Sequence, residues 1–214
     1  MDECLGYYRL VVGALETNCY IVYCKETLEC YIIDPGAEGE KIISFIKEKK
    51  LKPIGIINTH GHIDHIGANK KVKREFNIPI MIHSEDSSLL TGKQNLFFSF
   101  FLNSQSSPPA DFFLEEGQKL KIGNCFLEVI YTPGHTPGSI SLKSNGFVIS
   151  GDTLFAGGVG RTDLPGGSFE VLLDSIKTKL FSLPENLLVL PGHGESTTIK
   201  AEKETNPIIY NFED

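Results

Sequence analysis

Between residues 59 and 65 the chain reads Thr59-His60-Gly61-His62-Ile63-Asp64-His65, four potential metal ligands within six residues. Imidazole and carboxylate without thiolate suit zinc, iron or manganese. Histidine is 6 of 214 residues, so three at fixed positions arise by chance about 2 times in 100,000 per window, under roughly 1% over the chain. That rarity weighs against a solvated polar loop with incidental histidines. Further donors follow: His135 in Thr132-Pro133-Gly134-His135-Thr136-Pro137-Gly138, Asp152 in Ser150-Gly151-Asp152-Thr153, and His193 in Pro191-Gly192-His193-Gly194. A lone histidine after a strand is usually a satisfied structural residue. Jointly these donors mark one site, because layered folds gather active residues on loops at one end of their strands.

Something must hold those loops. The apolar, β-branched run at 54–57, bounded by Pro53 and Asn58, reads as a short buried strand that places the ligands at its end. In an extended segment residues two apart share a side, so His60 and His62 can hold one ion while Asp64 and His65, past a bend, face a second. Gly61 permits the tight turn. Strands are also expected at 10–15, 19–23 and 30–33, the last ended by Asp34-Pro35-Gly36, and a helix at 40–49 with Ile42, Ile43 and Ile46 at helical spacing. After the histidine loop come a helix at 68–76, a strand at 80–82 ended by His83, read as structural, and a helix start at Ser84-Glu85-Asp86. The stretch 95–102, with phenylalanines at 97, 98, 100 and 101, suggests a short helix leading into an exposed loop over 104–109. Packing under that loop, a subunit contact and an apolar wall beside a substrate all remain open for the Phe-rich stretch 97–101. Strands at 119–122, 126–131, 139–142, 147–149 and 187–190 and a helix at 169–180 complete the pattern. Two β-rich halves, each carrying helices, predict two facing sheets with helices outside, in one domain over 1–214.

With 41% apolar and 22% charged residues the chain can build a sizeable core. Net charge is −7 and the densest basic run is Lys47-Glu48-Lys49-Lys50, which argues against nucleic acid as a partner. The first residues show neither a basic nor an apolar leader region, and the apolar tract 96–102 is too short to span a bilayer, so no membrane association and a cytoplasmic location are expected. Five cysteines, Cys4, Cys19, Cys24, Cys30 and Cys125, read as buried reduced thiols, with a Cys24–Cys30 bridge across a hairpin as the minor alternative.

The strings THGHIDH, TPGHTPGS, SGDTLF and LPGHG, in that order over residues 59–194, resemble the metallo-β-lactamase superfamily of metal-dependent hydrolases. TNCYIV, IIDPG, FAGGVGRTDLPGGS and TNP extend the resemblance over nearly the whole chain. Within the superfamily the chain is similar to short glyoxalase II-like enzymes, which resemble hydroxyacylglutathione hydrolase without its C-terminal helical domain. The resemblance implies an αββα four-layer sandwich and two divalent ions, zinc first, with iron or manganese as alternatives. It assigns His60, His62 and His135 to one ion, Asp64, His65 and His193 to the other, and Asp152 as their bridge. Asp34 resembles a support for the histidine loop and is equally explained as a turn residue. Arg161 would be a cationic contact for an acidic substrate, with an ion pair elsewhere as its alternative.

The implied reaction is thioester hydrolysis of an S-lactoylglutathione-like small molecule, by a monomer or homodimer. Two ions about 3.5–4 Å apart would share a water and lower its pKa from 15.7 towards about 7, with Asp64 orienting it as metal-bound hydroxide. A thiolate leaves with little acid help, because thiol pKa values sit near about 8.5. The short segment after His193, Glu204 within it and the negative charge weigh against glutathione as the thiol half. The rival of another class is a persulfide dioxygenase using His60, His135 and Asp152 as a two-histidine, one-carboxylate iron site. A non-catalytic scaffold fits poorly, since all seven ligands are present. A β-lactamase is disfavoured by Asp64, by the missing leader and by the lack of a cysteine near Asp152. Nucleases of the superfamily need basic surface, and flavin-linked relatives would carry glutamate where His62 stands.

Overall fold

Strand alternation decides the layers. In β2 (Thr17–Cys24), Tyr20, Val22 and Cys24 face one way and Cys19 and Ile21 the other, and every residue but Tyr23 is buried. A strand covered on both faces belongs inside a sandwich. The computed structural model describes residues 4–92 and 107–210. The helix expected over 95–102 and the phenylalanines at 97–101 therefore lie outside the described residues.

Two mixed sheets face each other. The first runs in the order β1 (Leu5–Val12), β2, β3 (Glu29–Ile33), β4 (Lys52–Ile57), β5 (Ile80–His83) and β6 (Phe112–Leu114). The pairings of β3 with β4, β4 with β5 and β5 with β6 are parallel, so each needs a crossover. Helices α1 (Gly39–Glu48), α2 (Ile63–Ile66), α3 (Asn69–Phe76) and α4 (Ser87–Thr91) lie on those crossovers. The second sheet contains β7 (Lys119–Ile122), β8 (Cys125–Tyr131), β9 (Ile140–Lys143), β10 (Phe147–Gly151), β13 (Leu188–Pro191) and β14 (Thr197–Thr198), in the order β14-β13-β10-β9-β8-β7. A ribbon of β11 (Leu154–Phe155) and β12 (Gly158–Val159) lies in the connection after β10. Helix α5 (Phe169–Asp174) and a π-helical turn, Ser175–Leu180, carry the parallel crossover from β10 to β13.

Three apolar layers bind these elements. Tyr20, Ile33 and Ile57 meet Leu127, Ile140 and Ile149 between the sheets. Ile42, Ile46 and Val72 cover the outer face of the first sheet through Ile21, Ile32 and Ile56. Leu172, Ile176 and Leu180 cover Val148 and Val189 of the second. This is the αββα sandwich that the strand pattern predicted. Among the described residues no helix is long and apolar enough to cross a membrane.

Several expectations change. The first strand spans Leu5–Val12 rather than 10–15, because Gly13 (φ +72°) and Glu16 (φ +54°) turn the chain through left-handed conformations. The helix expected at 169–180 is α-helical only to Asp174. Of the loop expected to be exposed over 104–109, residues 104–106 lie outside the described residues and Ser107 is buried, its hydroxyl accepting from Asn69 Nδ2 at 2.9 Å. Reduced thiols throughout were also expected, whereas Cys4 and Cys125 are joined in a disulfide. Cys24 and Cys30 do not pair because they face opposite sides of the first sheet, Cys24 the inter-sheet core and Cys30 the helix layer.

Candidate metal centre

One end of the sandwich collects the chemistry. Asp34 follows β3, His60 follows β4, Asp86 follows β5, His135 follows β8, Asp152 follows β10 and His193 follows β13. These are carboxyl ends of strands, where open sheets of parallel strands present their sites. His62 and Asp64 stand just before and inside α2, whose short helical turn re-aims Asp64 and His65 away from His60 and His62.

All seven expected ligands converge. His135 Nε2 lies 3.2 Å from His60 Nε2 and 2.9 Å from His62 Nδ1. A second group contains His65, whose Nε2 is 3.3 Å from His193 Nε2 and 3.5 Å from Asp64 Oδ2, with His193 Nε2 3.2 Å from the same oxygen. Asp152 spans the two: Oδ1 is 3.4 Å from His65 Nε2, and Oδ2 is 3.7 Å from His135 Nε2 and 3.6 Å from His193 Nε2. Its Oδ1 is buried without a hydrogen-bond partner.

The far side of each ring fixes what the near side offers. Asp34, itself buried, accepts from the Thr59 amide at 2.7 Å and the Thr59 hydroxyl at 2.6 Å, and its Oδ2 lies 3.0 Å from His65 Nδ1. The Thr59 oxygen, its proton given to Asp34, accepts from His60 Nδ1 at 3.1 Å. His135 Nδ1 donates to the Arg161 carbonyl at 2.7 Å and His193 Nδ1 to the Leu15 carbonyl at 3.0 Å. This network assigns the Nδ1–H tautomer to all four, so their Nε2 lone pairs point inward at one another. Lone pairs that close repel unless a cation or proton stands between them. Five imidazoles, two carboxylates and an orphaned buried carboxylate oxygen therefore fit a pair of divalent cations.

Electrostatics divides the cluster. Burial, then the charges of His65 and His135, pushes His60 well below its usual value, and burial with His135 pushes His62 down to about 3. Burial opposes charge on His65 too, yet Asp152, Asp64 and Asp34 together push it up to about 10. Asp64 is held below the carboxylate range, burial notwithstanding, by His65 and His193. Because folded His62 titrates below the unfolded value of 6.5, its contribution to stability is complete above about 6.5 and is lost as pH falls towards about 3. Metal-free protein should accordingly lose stability over that window, measured by urea denaturation at stepped pH; a flat profile would remove this account.

Close approach requires glycine at two positions. A Cβ on Gly192 would stand 2.1 Å from Asp152 Oδ1, and one on Gly160 1.8 Å from the Asp152 carbonyl. The start of β2 clamps the last ligand loop: Asn18 Nδ2 donates to the carbonyls of Pro191 and Gly194 at 2.9 Å each, and Tyr20 Oη donates to Pro191 at 2.9 Å. The Thr17 hydroxyl donates to Asp64 Oδ2 at 3.3 Å.

Sequence reasoning missed Asp86, which it treated only as part of a helix start. Fully buried, Asp86 accepts from the Gly61 amide at 2.8 Å, the Thr136 hydroxyl at 2.7 Å and the Gly138 amide at 2.7 Å, tying the first histidine loop to the His135 loop. Asp86→Ala should cost about 2–4 kcal/mol by taking one shared acceptor away from three buried donors. Urea midpoints of the metal-loaded protein measure it, and a loss below about 1 kcal/mol would show the tie to be incidental. No motif spacing could have found Asp86; only its place after a buried strand hinted at the site end. His83 stays apart from the cluster, stacked on Tyr131 at 4.4 Å and accepting from the Glu85 amide. The Arg161 guanidinium is exposed and forms a bidentate pair with Asp163 at 2.7 Å.

Comparison with known proteins agrees with this geometry. The family model described as the metallo-beta-lactamase superfamily matches residues 12–193. "Probable metallo-hydrolase YqgX" of Bacillus subtilis is 44% identical over 212 residues, covering 97% of this chain and 99% of that protein. "Hydroxyacylglutathione hydrolase GloC" of Haemophilus influenzae is 38% identical, covering 92% and 95%. Among solved structures, BLEG-1 B3 metallo-beta-lactamase superposes with a TM-score of 0.89 at 37% identity, covering 95% of this chain and 99% of that one. TTHA1623 in a di-iron-bound form gives 0.86 at 36% identity, covering 94% and 99%, and ETHE1 from Myxococcus xanthus gives 0.82 at 27%, covering 96% and 85%. With its sheets, its converging donors and a family match across most of its length, the chain belongs to the metallo-β-lactamase superfamily of metal-dependent hydrolases.

Proposed function

We propose that the chain is a thioester hydrolase of the glyoxalase II type, acting on S-lactoylglutathione-like substrates. One observation carries the reading: Asp152 presents its two oxygens to two separate donor groups, as a site for a pair of ions requires. His60, His62 and His135 would hold one ion and Asp64, His65 and His193 the other, with Asp152 between them. Bound there, the ions would supply a water acidic enough to act as nucleophile at neutral pH and stabilise the oxyanion that forms. Zinc suits the donor set, and the di-iron form of TTHA1623 makes iron an equal candidate for the native metal.

The protein's own part is positioning. Asp64, its Oδ2 held by the Thr17 hydroxyl and facing His193, would orient the attacking water while ligating the second ion. The similarity to GloC supports a hydroxyacyl thioester as substrate. Arg161 is assigned to the acidic end of that substrate, so Arg161→Ala should raise KM about tenfold, or about 1.4 kcal/mol, with kcat unchanged. An unchanged KM would leave its guanidinium to Asp163 alone.

The oxygenase reading shares His60, His135 and Asp152, and has no use for Asp64 and His193 converging on His65. The deciding experiment follows protein whose metals have been counted, measuring thiol release from S-lactoylglutathione and other thioesters, oxygen uptake with glutathione persulfide, and opening of a β-lactam. Thiol release that scales with metal content supports the proposal. Oxygen uptake or β-lactam opening without thioester turnover sinks it.

A further inference from the structure

At the pole opposite the histidine loops, three cysteines meet that the chemistry above does not use. Cys4 precedes β1, Cys24 ends β2 and Cys125 opens β8, so the three come from both sheets. Cys24 Sγ lies 3.5 Å from Cys125 Sγ, and the three sulfurs all lie within 4.8 Å of one another. Gly123 (φ +56°) lets the β7–β8 turn close over them, since a Cβ there would stand 2.8 Å from Cys24 Sγ. A cavity of about 370 Å³ opens beside Cys4 and Cys125 and is also lined by Asn124 and Glu128.

Two chemistries use a third sulfur against a disulfide. In exchange, Cys24 would attack Cys125 in line and Cys4 would leave, which sets attacker and leaving sulfur more than about 5 Å apart. Here all three sulfurs lie within 4.8 Å of one another, short of that extension. Three thiolates about 2.3 Å from a common ion form a triangle with edges of about 4 Å.

We propose that Cys4, Cys24 and Cys125 form a second metal site, for a soft divalent ion of the zinc class, filled once a small-molecule thiol has reduced the Cys4–Cys125 bond. Two equivalents of that thiol, RSH, convert the disulfide to two cysteine thiols and leave as RSSR. Uptake of the ion by the three thiols then releases three protons, and the cavity beside them leaves room for a fourth ligand. Joining the first strand to the facing sheet, the ion takes over the cross-link that the disulfide makes under oxidation. Cys19 and Cys30, fully buried on the helix-facing side of the first sheet, take no part.

Cadmium tests this, because a sulfur-to-cadmium charge-transfer band in the ultraviolet reports thiolate ligands alone, and the histidine centre offers only nitrogen and oxygen. The holoenzyme, with zinc in that centre, is titrated with Cd²⁺ before and after reduction by a small thiol and its removal. The band should be absent before reduction and saturate at one equivalent per chain afterwards. It should vanish in Cys24→Ser and in Cys125→Ser and persist in Cys19→Ser, with circular dichroism confirming that each variant is folded. No band in the reduced wild type, or an undiminished band in either folded cluster variant, overturns the site.

Discussion

Asp152→Ala should lose metal and turnover together, falling more than about 100-fold in kcat/KM, beyond what removal of a supporting residue alone produces. Asp152 is the residue whose oxygens face both donor groups, so its loss uncouples them rather than weakening one. Elemental analysis after gel filtration should find the metal content lowered, and added metal should restore little activity because the link between the sites is gone. Asp152→Asn keeps the volume and one carbonyl oxygen but offers an amide where a cation is expected, and should fail similarly. Full activity in Asp152→Ala would refute the bridge, and with it the two-ion reading.

A loss of another kind, in stability and metal affinity, should come from Asp34, which stands one step back from the centre. Asp34→Ala strips partners from the Thr59 amide, the Thr59 hydroxyl and His65 Nδ1–H, all buried, and should cost about 3–5 kcal/mol. Asp34→Asn separates shape from proton placement. Asparagine tolerates the left-handed conformation at this position (φ +51°), so the turn survives. With its carbonyl oxygen kept on the Thr59 amide, its NH2 takes the place of Oδ2 and meets His65 Nδ1 as a donor, which moves the ring proton to Nε2 and aims it into the centre. The Asn variant should therefore remain folded yet bind metal about 10–100-fold more weakly, read by competition with a chromophoric chelator. Equal metal affinity in Asp34→Asn and the parent would mean that the His65 tautomer is not set from Asp34.

The candidate ligands were legible because metal chemistry restricts residue type: His60, His62, Asp64, His65, His135, Asp152 and His193 stand in Gly-rich turns after apolar runs, and the structure gathers all seven. The layers followed from apolar periodicity, which buried strands enforce residue by residue. Residues that act through others were harder to see. Asp86 ties two loops by accepting backbone and hydroxyl donors, work that leaves no trace in spacing. The Cys4–Cys125 pairing joins residues 121 apart and depends on how the two sheets meet, which no local pattern encodes. Strand β1 was misplaced because Tyr7 and Tyr8, half-exposed on an edge, do not form the continuous buried apolar run that Cys19 to Val22 do further on.

The grip of Asn18 and Tyr20 on Pro191 and Gly194 bears on how the protein is made. A growing chain displays the first histidine motif long before His193 leaves the ribosome, and until then half of the centre has no wall. Completion of the centre is thus a late event in biogenesis, and a product stopped short of β13 would carry an incomplete cradle with its imidazoles open to whichever ion arrives first.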